Sequence, residues 1–215
     1  MVVSSAPTAQ AVELGGVWHV FIVAGFVVYG VVAGLILWCV VAYRRRPDHG
    51  RQGAQFTQNV PLEIAWTVVP ILVVCGLFGV TWLAESHVDA VVMHPANVVN
   101  VTAFRWSWRF VYAGRHVAVG GTSLAPPELV LPAGRTTQIN LTSSDVAHAF
   151  WVPAFLFKRD AIPGMVNRFD LTLTAPGDYP ARCAEYCGLQ HAHMTFLVRV
   201  VTPAEFDRWL VEHRG

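Results

Sequence analysis

The sequence predicts two membrane-spanning helices followed by a small all-β domain outside the bilayer. Three observations predict it. The stretches 17–43 and 64–84 contain no Asp, Glu, Lys or Arg. From about Val88 onward, short runs rich in Val, Thr and aromatics alternate with Gly, Pro and Asn. Hydrophobic residues make up 54% of the chain and charged ones 13%. That is about half the charge of an ordinary soluble domain, so part of the surface does not face water.

Each uncharged stretch rises about 1.5 Å per helical residue, enough to cross a hydrocarbon core of roughly 30 Å. The helix of a soluble core rarely runs so far without a charge. Trp18, Tyr43, Trp66 and Trp82 stand near the ends, where amphipathic rings favour the interface. Pro70 falls inside the second span, where a membrane helix tolerates a kink. Arg44, Arg45, Arg46 and Arg51 lie in the connecting loop, 44–63, whereas the tail 1–16 has Glu13 and no basic residue. Basic loops stay in the cytoplasm, so both termini are expected outside. The tail lacks a basic segment followed by a separate apolar one, and the first span is expected to serve as an uncleaved signal. Cys39 and Cys75 lie within the spans and read as packed thiols.

The helical pair therefore occupies 17–87 and the outer domain 88–202. Strands are expected at Val98–Phe104, Thr136–Leu141, Phe169–Leu173 and Phe196–Val201. Breaks such as Ala113-Gly114, Gly120-Gly121 and Ala175-Pro176-Gly177-Asp178 separate them. This is the pattern of a small antiparallel sandwich or barrel. Thr202-Pro203-Ala204-Glu205 then places a capping box before a short terminal helix within 203–215.

The chemistry concentrates in Cys183-Ala184-Glu185-Tyr186-Cys187-Gly188-Leu189-Gln190-His191-Ala192-His193-Met194. Thiolate, imidazole and thioether together suit copper. A mononuclear blue site uses one Cys, whereas Cys183 and Cys187 supply two, enough to bridge two metals. A disulfide outside the cytoplasm and a zinc site are the competing readings. Structural zinc seldom takes a thioether, which favours copper. A second imidazole is needed, and His148 in Asp145-Val146-Ala147-His148 is the candidate.

The pattern Cys-x-Glu-x-Cys-x3-His-x2-Met, preceded by Asp-Val-x-His and Asp160-Ala161-Ile162-Pro163-Gly164, resembles subunit 2 of haem–copper cytochrome c oxidases. The resemblance runs from about Val17 to Val201. It implies a cupredoxin-like Greek-key barrel carrying the dicopper centre CuA, with Cys183 and Cys187 bridging. His148 and His191 would each complete one copper, Met194 would be a weak axial ligand, and the Glu185 carbonyl the remaining ligand. It further implies Mg2+ shared with subunit 1 through the Glu185 carboxylate. In Phe104-Arg105-Trp106-Ser107-Trp108, it makes Trp106 the residue that receives electrons from cytochrome c. Glu63 resembles the acid at the mouth of a proton pathway. His193 stands where an aromatic is expected and reads as a surface residue. Trp108 reads as core.

The resemblance places the chain in a plasma membrane, beside subunits 1 and 3, with cytochrome c as donor and no nucleic-acid partner, and Lys158 standing alone against many arginines points to GC-rich coding and a bacterial source. No Cys-x-x-Cys-His haem attachment sequence occurs, so the donor is a separate protein or subunit. Two other functions compete: the CuA subunit of a nitric oxide reductase, and a membrane-tethered module that stores or delivers copper. A quinol oxidase subunit shares the fold but lacks the ligands present here.

Overall fold

A computed structural model describes residues 7–44, 55 and 57–214. Two compact units emerge: Gly16–Ala84, and the residues up to Gly15 together with Glu85–Gly215. Arg45, Arg46 and Arg51, which carry the orientation argument, lie outside the described residues.

The first unit holds most of two helices, α1 (Ala9–Ala42) and α2 (Val60–Val88). Both are long and apolar enough to cross a membrane. Side chains such as Phe26, Leu37, Leu72 and Phe78 are exposed along them. Apolar residues all round an uncovered helix suit lipid rather than water. Pro70 is accommodated within α2. At the start of α2, the Asn59 side chain accepts from the Leu62 amide at 3.3 Å, and the Glu63 carboxylate accepts from the Asn59 amide at 3.2 Å. These bonds satisfy two otherwise orphaned donors of the first turn.

Helix α1 begins before the uncharged stretch does. The Thr8 hydroxyl accepts the Ala11 amide at 3.0 Å, a side-chain cap that starts the helix early. This segment belongs to the β unit. Thr8 bridges Leu173 in antiparallel fashion, and the Thr174 amide donates to the Pro7 carbonyl at 2.9 Å.

The β unit contains ten strands: β1 (Asn97–Phe104), β2 (Ser107–Tyr112), β3 (Val117–Gly120), β4 (Glu128–Pro132), β5 (Thr136–Ser143), β6 (His148–Val152), β7 (Phe157–Ala161), β8 (Asn167–Thr172), β9 (Gly177–Cys183) and β10 (Thr195–Val201). They form two five-stranded sheets, ordered β3-β2-β1-β5-β8 and β4-β10-β9-β6-β7. The sheets are mixed rather than purely antiparallel, because β1 pairs with β5, and β10 with β4, in parallel. Parallel neighbours need a long crossover, and the β2–β4 segment supplies one between β1 and β5. Local alternation of apolar residues predicts strands but not which distant strand each will meet.

Alternate residues of β1 and β5, including Val99, Val101, Ile139 and Leu141, are fully buried between the sheets. Aromatics fill the interior. The Phe196 ring lies 5.0 Å from Trp108 and 4.9 Å from Phe150. The Tyr112 hydroxyl donates to the Val130 carbonyl and accepts from its amide, both at 2.9 Å. Helix α3 (Pro203–Glu212) closes the chain with the expected capping box between Thr202 and Glu205.

Candidate metal centre

Three elements meet at one end of the β unit. His148 opens β6 and Cys183 closes β9, and these strands pair so that Phe150 faces Cys183. The loop after Cys183 returns at Met194, immediately before β10. Its two ends are tied by the Cys183 amide, which donates to the Met194 carbonyl at 2.9 Å. A short 3-10 turn at His191–His193 brings His191 back toward Cys187.

The thiols are free, with their Sγ atoms 4.0 Å apart. A disulfide needs about 2.05 Å, so these sulfurs are neighbours and not bonded. His148 Nδ1 lies 3.8 Å from Cys183 Sγ, and His191 Nδ1 lies 3.5 Å from Cys187 Sγ. The Glu185 carbonyl oxygen is 3.2 Å from Cys183 Sγ, and Met194 Sδ is 3.7 Å from Cys187 Sγ. His148 and Met194 are fully buried, and both cysteines nearly so. The ligand atoms of His148, Cys183 and Cys187 all lie within 4.8 Å of one another. Sulfur, imidazole and thioether in a dry pocket fit copper. A buried thioether beside the thiols is a poor fit to structural zinc.

The electrostatics separate the two thiols. Burial raises the Cys183 thiol, but the His148 ring and the Ala149 and Glu185 backbone outweigh it, and the net shift is downward. Burial together with the neighbouring Cys183 pushes Cys187 up to about 12. Burial disfavours a charged His148, yet Cys183 and Asp145 together shift it upward. Asp145 is also raised by burial, but hydrogen bonds from His148 and from the Arg105 and Val146 amides bring it down to about 2.

Trp106 lies beside this cluster. Its Nε1–H donates to the Cys187 carbonyl at 3.1 Å, and its ring lies so close over Gly188 that a Cβ placed there would meet it at 3.5 Å. Gly188 has φ of +112°, a conformation that favours glycine. Trp108, two residues on, is fully buried in the core. His193 is exposed. The Glu185 carboxylate is half exposed and lies 3.8 Å from Lys158 Nζ. Glu63 belongs to the other unit, with its carboxylate at the start of α2. The sequence reading assigns no role to Asp145, although an acid three residues before a candidate histidine is a visible signal for one.

Two family descriptions match: the transmembrane domain of cytochrome c oxidase subunit II over residues 1–80, and its periplasmic domain over residues 122–201. A probable cytochrome c oxidase subunit 2 from Nocardia farcinica is 31% identical, over 98% of this chain and 73% of that relative. The chain belongs to the cytochrome c oxidase subunit II family. A second relative, from Streptomyces avermitilis, is 34% identical over 91% of this chain and 72% of its own length. The periplasmic domain of subunit II of cytochrome oxidase from Bradyrhizobium japonicum superposes with a TM-score of 0.53 at 29% identity. The match covers 58% of this chain and 97% of that structure.

Membership of the subunit II family makes α1 and α2 transmembrane helices and the β unit an extracytoplasmic domain of cupredoxin type. It makes the chain a component of an oxidase of the respiratory chain, and copper is the metal the family implies.

Proposed function

We propose that the centre is binuclear CuA, held by His148, Cys183, Cys187, His191, Met194 and the Glu185 carbonyl. The observation that carries this is the doubling of the donor set. Each of two unbonded thiols has its own imidazole and its own weaker donor within 3.8 Å. A mononuclear site needs one such set. A copper pair held by these residues would supply a one-electron carrier whose charge change on reduction is spread over both metals. The protein's part is to hold the donors still, which it does with buried side chains and the Cys183–Met194 backbone bond.

Cytochrome c is the proposed donor, received at Trp106, whose indole is joined to the Cys187 carbonyl by one hydrogen bond. Subunit 1 is the proposed recipient, with subunit 3 alongside in the complex. The half-exposed Glu185 carboxylate is the proposed contribution to Mg2+, a hard cation suited to oxygen. Binding would require Lys158 to give way. A proton-pathway role for Glu63 rests on the resemblance alone. Glu63→Gln should slow proton uptake while leaving copper reduction unchanged, and normal uptake in that variant would refute the role.

The nitric oxide reductase reading shares the centre and differs in the partner, so oxygen consumption by the purified complex separates the two. A copper-delivery module should release its metal to a chelating acceptor, whereas a carrier stays loaded through repeated redox cycles. Substituting the cysteines tests the binuclear reading. Cys183→Ser or Cys187→Ser should abolish the mixed-valence signal, and a normal binuclear spectrum in either variant would refute bridging.

A further inference from the structure

Asp145 joins the buried histidine to the segment that carries Trp106. Its Oδ1 lies 2.8 Å from His148 Nε2 and accepts the Val146 amide at 2.7 Å. Its Oδ2 accepts the Arg105 amide at 2.7 Å. The ring and the two amides orient the carboxylate from several sides, while the single Ser143 hydroxyl proton goes to the nearer Val146 carbonyl at 2.5 Å. An ionised carboxylate only accepts, so His148 Nε2 must carry the proton. In the neutral ring that leaves Nδ1 free to bind a metal, and Nδ1 is the atom that faces Cys183 Sγ. From the Arg105 amide the chain passes directly to Trp106, whose indole returns to the Cys187 carbonyl at 3.1 Å. The contacts close a circuit from one imidazole, through Asp145 and Trp106, to the second cysteine.

We propose that Asp145 is a positioning residue for the copper centre. One oxygen fixes the tautomer and orientation of His148, and the other fixes the backbone that places Trp106. The proposal rests on the copper reading given above. The blander role is a surface ion pair with Arg105. That contact is longer, 3.4 Å to Nε, and the guanidinium is half exposed, so screening by solvent leaves it weak. Histidines that ligate metals commonly donate their other nitrogen to a carboxylate, and loss of that partner typically weakens metal binding by about 10–100-fold.

The test uses the full chain in detergent, loaded with copper. In Asp145→Asn, copper affinity should fall by about 10–100-fold. At saturating copper, pulsed EPR should show a changed quadrupole coupling for the remote nitrogen of one histidine and not the other. The reduction potential should rise, because a negative charge that favours the oxidised centre is gone. Electron arrival from cytochrome c should slow in loaded molecules. Arg105→Ala, which keeps the backbone amide, should leave the remote-nitrogen coupling unchanged. Matching remote-nitrogen couplings and potentials in wild type and Asp145→Asn would overturn the positioning role. A change in Arg105→Ala equal to that in Asp145→Asn would overturn it too, in favour of the ion pair. If Asp145→Asn fails to fold, the wild-type protein still decides. After transfer to D2O, one remote imidazole proton should be retained far longer than the other, since His148 is fully buried and hydrogen-bonded. Equal exchange at both would overturn the proposal. A wild-type chain with no copper signal overturns the copper reading itself, a result distinct from any of these.

Discussion

At the residue scale, the donors divide by burial and strength. His148 is fully buried and is one of two imidazoles facing the thiols, so His148→Ala should cost most of the bound copper, measured as metal per chain. Met194 is a thioether, a weak ligand that tunes potential more than it retains metal. Met194→Leu should keep copper and shift the reduction potential, and complete loss of metal would contradict that role. Trp106 and Trp108 illustrate a division that spacing alone does not make. Both stand in one aromatic run, yet Trp106 is half-buried against Gly188 and Trp108 is wholly inside. Trp106→Ala should slow reduction by cytochrome c by orders of magnitude while copper content and spectra stay normal. Trp108→Ala should instead cost about 3–5 kcal/mol of stability, read from denaturant unfolding. If Trp106→Ala behaves like Trp108→Ala, electrons arrive elsewhere. The ligand residues were legible because their chemistry is rare at such spacing. Asp145 offers only its spacing of three from His148 as a signal, and the Arg105 amide it also meets comes from a turn 40 residues away.

At the element scale, the strands announced themselves through alternating apolar residues and Gly-Pro breaks, and α3 through its capping box. The register and the two parallel pairings were hidden, since they depend on contacts across long sequence separations. The early start of α1 was hidden as well. Thr8 caps it, but a lone Thr among small residues carries little weight without the strand it meets. The α3 cap offers a direct check. The Glu205 carboxyl is held below its usual range, chiefly by the Thr202 hydroxyl and then the Thr202 amide. An acid whose folded value is depressed adds stability above its unfolded pKa, about 4.3. It loses that stability as pH falls through the folded value. Thr202→Ala should cost about 1 kcal/mol near neutrality. The difference in Tm between wild type and variant should shrink in acid below about pH 4. A difference that stays constant with pH would show that the cap's carboxylate contributes nothing.

At the scale of the whole molecule, a membrane part and a folded outer domain divide the work. The uncharged spans were readable because a bilayer demands about 20 apolar residues in a row. Orientation was readable from Arg44, Arg45, Arg46 and Arg51. Reporter fusions after Arg46 should report cytoplasm, and fusions after Val88 the outside. The reverse would place the copper domain on the wrong side for a subunit II chain. In the proposed centre two coppers share Cys183 and Cys187. The most direct measurement is the electron paramagnetic resonance spectrum of the purified, oxidised full chain, with copper counted in the same sample. Two coppers per chain and a seven-line hyperfine pattern, from one electron shared equally by both nuclei, is the expected result. A four-line pattern with one copper per chain would contradict it.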